Sequence, residues 1–256
     1  MLKTSDFIIP DWPAPANVHS VQTTRHGGVS TGPYASLNLG SHVQDDVIHV
    51  AHNRQLLSQF VPSEPVWLNQ VHGVHVVDAA NTDCVPNADA SFSTRYNVVC
   101  VTMTADCLPI LLCDTGGTVV ASIHAGWRSL CDGVVEATVA KILASTTVKA
   151  GHLMAWLGPA IGPMAFEVGN EVRAQFMASD AQAESAFQPL ASDKWLGNIY
   201  SIATQRLKNL GVTQVYGGDQ EQFCTVTDSA RFFSFRRDNV TGRMATLIWL
   251  TAPKSN

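Results

Sequence analysis

Three side chains able to hold a soft or borderline metal stand just past short apolar runs. Cys107 follows residues 98–104 (VVCVTMT), His124 follows 119–123 (VVASI), and His72 follows 66–71 (VWLNQV). The runs have strand length and β-branched composition, so three strand ends each deliver one ligand. One thiolate and two imidazoles leave a fourth tetrahedral position open, as catalytic zinc requires. Such an ion keeps a net charge near +1, enough to polarise an oxygen or acidify a bound water. Copper is the competing ion, because two histidines and a cysteine are also the blue-copper ligand set. A multicopper oxidase needs a histidine-rich trinuclear cluster as well, and the chain's nine histidines include no His-X-His pair. The nearest pairs, His49/His52 and His72/His75, suit ordinary surface positions. His75 alternates with Val74 and Val76 and is expected to face away from His72.

The elements that must carry these groups are mixed in kind. Residues 18–24 alternate as a strand, and a Gly- and Ser-rich loop over 25–42 follows. A connection of that length without structure of its own is often functional. Residues 45–60 read as a helix, with Val47, Val50, Ala51 and Leu57 near one face. A hairpin is expected around His72-Gly73, then a polar connection through 86–89. Asp106-Cys107 breaks the longest apolar run, and Pro109 stops a helix there. After His124 the chain turns helical: Val135, Val139, Ile142 and Leu143 share a face, with Asp132 as the expected N-cap. Residues 153–157 form a short strand ending in GPAIGP. Residues 168–177 and 199–210 fit helices, the second closed by Gly211. Residues 213–216, 231–236 and 244–250 fit strands, with 238–242 as a hairpin turn. Without regular βα alternation the fold class is α+β. No repeat or linker divides the chain, so one domain over 1–256 is expected.

Composition limits the function. Only 14% of the 256 residues are charged, against about 25% in a typical domain, which implies a large buried core. The net charge is −5 and no basic run occurs, so a nucleic-acid surface is not expected. A small anion can still be held by a local field. The N-terminus lacks the apolar segment of a signal peptide, and no run approaches the roughly 18 apolar residues of a membrane span. A soluble, cytoplasmic protein without membrane association is expected. The six cysteines form no CxxC pair and read as reduced thiols, mostly core filler.

Several longer motifs stand in order: TTRHGGVS with YASLNLG (23–40), Asn53-Arg54, NQVHG (69–73), TADCLPILL (104–112), HAGWRSL (124–130), GPAIGP with FEVG (158–169) and FFSFRRDNVTGRMA (232–245). With these the chain resembles the bacterial YfiH/YlmD-like family over nearly its whole length. Members have been called polyphenol oxidases or laccase-domain proteins, peptidoglycan editing factors and purine nucleoside phosphorylases. Many members have a cysteine pair and an aromatic after IGP. Met164, Ala165 and Phe166 stand here instead, so no role of those cysteines carries over. The resemblance implies mixed β-sheets packed as a sandwich with flanking helices, a fold shared with the deamidase domain of the cytotoxic necrotizing factor toxins. It also implies that His72, Cys107 and His124 bind a metal.

The activity implied by the resemblance is phosphorolysis of adenosine, inosine and methylthioadenosine, with adenosine deamination as a companion. Phosphorolysis needs an arginine for phosphate, because a guanidinium offers parallel donors. Arg25, Arg54, Arg128, Arg236 and Arg237 are candidates. Arg25 opens the Gly-rich loop and Arg128 lies four residues after His124, which makes these two the favoured pair. Asn38 is the candidate for the ribose. Deamination by a metal-activated water calls for a carboxylate proton shuttle. Asp106, Glu167 and Glu171 are the candidates, and Asp106 could equally orient a ligand. The expected catalytic groups are thus Cys107, His124 and Asp106. Two other enzymes stay open: a cysteine hydrolase editing peptidoglycan precursors, with Cys107 as nucleophile and His124 as base, and a copper-dependent polyphenol oxidase. A structural zinc in a binding module would require a fourth protein ligand, which the spacing does not offer.

Overall fold

Strands covered on both faces read as unbroken apolar runs, and this chain has several. In the computed structural model, which describes residues 2–82, 84–218 and 222–252, every residue of 100–104, 108–114 and 244–250 is buried. The ends of the expected 1–256 span lie outside that description.

The strands are β1 (Phe7–Ile8), β2 (Val18–Thr23), β3 (Val76–Asp78), β4 (Ala90–Ser93), β5 (Cys100–Thr104), β6 (Leu108–Asp114), β7 (Val120–Ala125), β8 (Leu153–Leu157), β9 (Glu167–Gly169), β10 (Phe187–Pro189), β11 (Lys194–Gly197), β12 (Gln214–Gly217) and β13 (Met244–Leu250). The helices are α1 (Val47–Leu57), α2 (Trp127–Asp132), α3 (Val134–Ser145), α4 (Asn170–Ser179), α5 (Ile199–Asn209) and α6 (Phe235–Asp238). One sheet runs β1-β2-β13-β5, a second runs β12-β8-β6-β7-β4-β3, and a small third runs β10-β11-β9. The architecture is therefore mixed α+β.

Side-chain alternation sorts the core into layers. Leu111, Cys113, Val120, Met154 and Trp156 of the larger sheet meet Cys100, Ile248 and Leu250 of the smaller one, forming the sandwich interior. On the far side of the larger sheet, Ile110, Leu112, Ala121 and Ile123 pack against Val135, Val139 and Ile142 of α3 and Ile202 and Leu207 of α5. On the far side of the other sheet, Val21, Val101, Met103, Leu247 and Trp249 are covered by Leu37, Leu39, Leu57 and Trp67. The Gly-rich loop thus supplies core through its two leucines. The sandwich also sets up the site: β5 and β6 belong to different sheets, so residues 105–107 form the corner between them.

Several elements differ from the sequence reading. Residues 66–71 are not a strand but make isolated bridges, Val66 to Cys100 and Asn69 to Asn87. The Gln70 side chain substitutes for backbone pairing there, donating to the Met103 carbonyl at 2.8 Å and accepting from the Met103 N–H at 2.7 Å. Residues 231–236 are not a strand either. Phe232 and Phe233 are both fully buried, so alternation fails, and Ser234 caps α6 by accepting from Arg237 N. Residues 238–242 consequently follow a helix and are no hairpin turn. The cap of α3 is Gly133, at φ +98°, while Asp132 ends α2. Helix α1 starts at Val47, after Asp46 accepts from Ile48 N, and it buries Val50 and Leu57 but leaves Val47 74% exposed. Residues 167–169 join the third sheet, which delays α4 to Asn170. Gly211 does close α5, at φ +85°.

Leu111 is fully buried between the sheets. Leu111→Ala is expected to lower stability by about 2–5 kcal/mol through lost burial and the cavity left behind. Urea unfolding checks this, and a loss under about 1 kcal/mol would show that the two sheets do not share a packed interior.

Candidate metal centre

The corner between the sheets places Cys107. Asp106 adopts φ +97°, uncommon for a residue with a side chain, and three bonds hold it there. Its Oδ1 accepts from Thr225 Oγ1 at 2.6 Å, its Oδ2 accepts from Arg236 N at 2.7 Å, and its carbonyl accepts from Ile161 N at 2.9 Å. Both carboxylate oxygens therefore already accept bonds. His124 lies near the end of β7, in register with Pro109 of β6. His72 sits in the loop before β3 with φ +59°. The three meet over Gly126. A Cβ at that position would lie 2.8 Å from His72 Cδ2 and 3.1 Å from Cys107 Sγ. Only glycine leaves the three side chains room to converge.

The residue that joins them is Asp89, which the sequence reading did not single out. It is fully buried and immediately precedes β4. Its Oδ1 lies 2.8 Å from His124 Nδ1 and accepts from His72 N at 3.0 Å. Its Oδ2 accepts from Gly73 N at 2.7 Å and Val71 N at 3.2 Å. One carboxylate thus fixes the His72 loop and orients the His124 ring. By accepting a hydrogen bond from Nδ1–H it leaves Nε2 of His124 as the nitrogen available to a metal. The signal for Asp89 was an acid between Ala88 and Ala90 at the mouth of a strand, where a buried charge must find donors.

The group fits a metal. Its ligand atoms lie within 4.8 Å of one another, and Cys107 Sγ is 3.9 Å from His72 Nε2. A tetrahedral zinc with ordinary bonds needs a sulfur–nitrogen separation of about 3.6 Å, so small side-chain rotations close the set. Electrostatics favour the ligating thiolate of Cys107, while a metal would have to displace the proton they hold on His124. Desolvation would raise the Cys107 thiol, but His124 and His72 outweigh it and lower it to about 6. Burial would lower His124, but the Cys107 charge and the Asp89 hydrogen bond raise it to about 9. Burial likewise works against the Asp89 carboxylate, yet His124 and the loop N–H groups hold it below the usual carboxylate range. Without metal, Cys107 and His124 form a thiolate–imidazolium pair. Among the described residues this is the one such group of metal-ligating side chains.

The triad opens on a cavity of about 530 Å³. Trp127, Phe166, Phe235, Ile161 and Ile199 give it apolar walls, and Arg128, Arg236, Arg243 and His42 give it a basic side. Of the residues expected here, His72, Cys107, His124, Asp106, Arg128 and Arg236 line the cavity. Arg25 does not: its Nε donates to Ala35 O, its guanidinium to Ser229 O, and it stacks on Phe233. Asn38 is fully buried and bonded to Gly40, Asp45 and Arg243 N. Arg54 donates to Leu39 O and stacks on Trp67, and Arg237 is bonded to Thr225, Val226, Phe232 and Asp238. Glu167 and Glu171 are exposed and outside the cavity lining. His75 is exposed and pairs with Asn87 O at 2.9 Å. Arg243 and His42 were not anticipated: Arg243 precedes a strand rather than following one, and His42 lies in a loop with no apolar run beside it.

Residues 19–251 match the family described as multi-copper polyphenol oxidoreductase laccase. The chain is 52% identical over 249 residues to the purine nucleoside phosphorylase YfiH of Shigella flexneri, covering 96% of this chain and 99% of that one. It is 53% identical over 245 residues to the purine nucleoside phosphorylase PA4543 of Pseudomonas aeruginosa, covering 95% and 98%. The crystal structure of the Neisseria meningitidis protein NMB0706 superposes with a TM-score of 0.92 at 48% identity, covering 96% of this chain and all of that one.

Two outcomes follow from the site. Asp89→Asn keeps the size of the side chain but weakens the hold on both histidines, so zinc affinity should fall about 10–100-fold while the fold persists. Competition with a chromophoric chelator measures this, and unchanged affinity would remove Asp89 from the site. In chelator-stripped protein, Cys107 should be alkylated by iodoacetamide with a midpoint near the lowered value of about 6. His124→Ala should move that midpoint towards the ordinary thiol value of about 8.5. Peptide mapping at Cys107 separates it from the exposed Cys84. Equal midpoints in the two proteins would contradict the pairing.

Proposed function

Because the chain belongs to the multi-copper polyphenol oxidoreductase laccase family, and its relatives carry the name purine nucleoside phosphorylase, we propose that it is a zinc-dependent purine nucleoside phosphorylase. Adenosine, inosine and methylthioadenosine are its proposed substrates, with adenosine deamination as a companion reaction in the cytoplasm, carried out by one catalytic domain. The observation that carries this reading is the His72–Cys107–His124 group at the floor of a cavity with apolar walls and a basic side. When bound, zinc would supply Lewis-acid polarisation and charge stabilisation.

The chain's own residues supply the rest. Trp127, Phe166 and Phe235 offer flat apolar surface for a purine, and the cavity size suits a nucleoside with an anion. In phosphorolysis a phosphate oxygen bonds to C1′ as the C1′–N9 bond breaks, the bonding pair leaves with the base, and the phosphate proton ends on the base. Arginine donors hold the phosphate during this exchange. In deamination water adds at C6 and ammonia leaves. Asp106 is read here as holding the corner and the start of α6, since both its oxygens already accept bonds.

A second reading has its own observation. Cys107, His124 and Asp89 also line up as nucleophile, base and orienting acid, the arrangement of a cysteine hydrolase. The proposed kinship with the deamidase domain of the necrotizing factor toxins belongs with that reading, as does editing of peptidoglycan precursors. Oxidation of phenols is the weaker alternative, because the described residues hold no second ligand group for a copper cluster.

Chelation separates these readings. The zinc-loaded protein should release adenine and ribose 1-phosphate from adenosine only with phosphate present, and inosine with or without it. Chelator should abolish both, and added zinc should restore them. Amide hydrolysis by metal-free protein, with adenosine untouched, would favour the cysteine hydrolase. Phenol oxidation with several coppers per chain would favour the laccase.

A further inference from the structure

The long Gly-rich loop was expected to touch the ligand itself, yet Arg25 and Asn38 face elsewhere. Its contacts converge instead on one residue of the far strand. Asn38 Oδ1 accepts from Arg243 N at 2.9 Å, and Leu39 N donates to the Arg243 carbonyl at 3.1 Å. A Cβ at Gly40 would fall 2.8 Å from Arg243 Cγ, so glycine there makes room for the arginine stem. A Cβ at Gly242 would fall 2.7 Å from Phe233 Cζ and 3.0 Å from Asn38 Cβ. Asn38 is in turn braced by Asp45 Oδ2 at 2.9 Å and by Asn53 Nδ2 on its carbonyl at 2.9 Å. The loop thus works by packing, and what it packs is Arg243.

Arg243 is half-buried and lines the cavity. Its NH1 donates to Thr241 O and Gly242 O, both at 3.0 Å, which anchors the guanidinium plane. Its Nε and NH2 have no protein acceptor among the described residues. The guanidinium carbon lies 5.8 Å from the centre of the Phe235 ring. Arg243 shares the cavity lining with Cys107, His72 and His124. Arg128 differs: it is exposed and rests only on Trp127, 4.3 Å from the ring centre. Arg236 is also exposed, and its NH1 is tied to Ala165 O and Glu167 O. Of the three cavity arginines, Arg243 is the one both half-buried and anchored by its backbone neighbours, with Nε and NH2 left without a protein acceptor among the described residues.

We propose that Arg243 holds the phosphate nucleophile, and that Asn38 and Gly40 are positioning residues that seat it. The inference rests on the phosphorolysis reading and deepens it. A pre-set guanidinium offers two parallel donors to a phosphate with little ordering cost at the moment of binding.

The test uses the zinc-loaded protein, with adenosine cleavage followed against inorganic phosphate. Arg243→Met should raise the phosphate KM about 10–100-fold while the adenosine KM moves far less. Arg243→Lys, which keeps the charge without the fork, should fall between. Asn38→Ala leaves Arg243 in place but unseats it, and should raise the phosphate KM in the same direction with circular dichroism unchanged. Calorimetric titration with inorganic phosphate, without nucleoside, should show binding to the wild type that Arg243→Met loses. An unchanged phosphate KM and unchanged phosphate binding in folded Arg243→Met would overturn the proposal, as would an effect confined to Arg128→Ala. A wild type that binds phosphate through Arg243 but releases no base would sink the phosphorolysis reading while leaving the anion site standing.

Discussion

A single buried carboxylate organises this molecule's chemistry. An ionised group taken out of water is costly unless its lone pairs find donors. Asp89 finds three consecutive backbone N–H groups of one loop and the imidazole of a strand. Those partners belong to the two segments that carry His72 and His124. The same bonds that make the buried charge tolerable therefore bring two candidate metal ligands together and orient the ring of one. An apolar side chain at this position would leave the left-handed backbone of His72 without its anchor.

The third ligand comes from a different constraint. The chain leaves one sheet at Thr104 and enters the other at Leu108, and the turn between them has to be tight. Asp106 makes it by taking a left-handed conformation held from Thr225, Ile161 and the start of α6. That corner, the end of β7 and the His72 loop converge where the sheets part, so the cavity lies at the edge of the sandwich rather than within it. Its basic side draws Arg128 from α2, Arg236 from α6 and Arg243 from just before β13, and the Gly-rich loop braces Arg243 from behind.

The ligand group was legible because each member ends an apolar run. A polar residue there either faces a site or wastes a strand end. The layered core was legible for the same reason: period-two alternation and doubly apolar runs show which strands are covered. Long-range pairing was not. Nothing in residues 98–114 shows that the two strands flanking Cys107 join different sheets. Asp89 was passed over because its partners are backbone groups of a loop 16–18 residues away, and local pattern says nothing about them. Residues 66–71 and 231–236 looked like strands by composition. In one, a Gln70 side chain replaced the backbone ladder. In the other, two adjacent phenylalanines entered the core together. Arg25 and Asn38 were read as ligand contacts because a long polar loop usually carries function. Their bonds show that this loop works through what it supports.

The account stands or falls on a mononuclear His₂Cys centre held by Asp89. X-ray absorption at the zinc edge, on protein as purified, tests it most directly. The expected result is about one zinc per chain with one sulfur near about 2.3 Å and nitrogen scatterers at about 2.0–2.1 Å. The same spectrum from Cys107→Ser should lose its sulfur shell. A zinc spectrum without sulfur, or copper at several ions per chain in place of zinc, would contradict it.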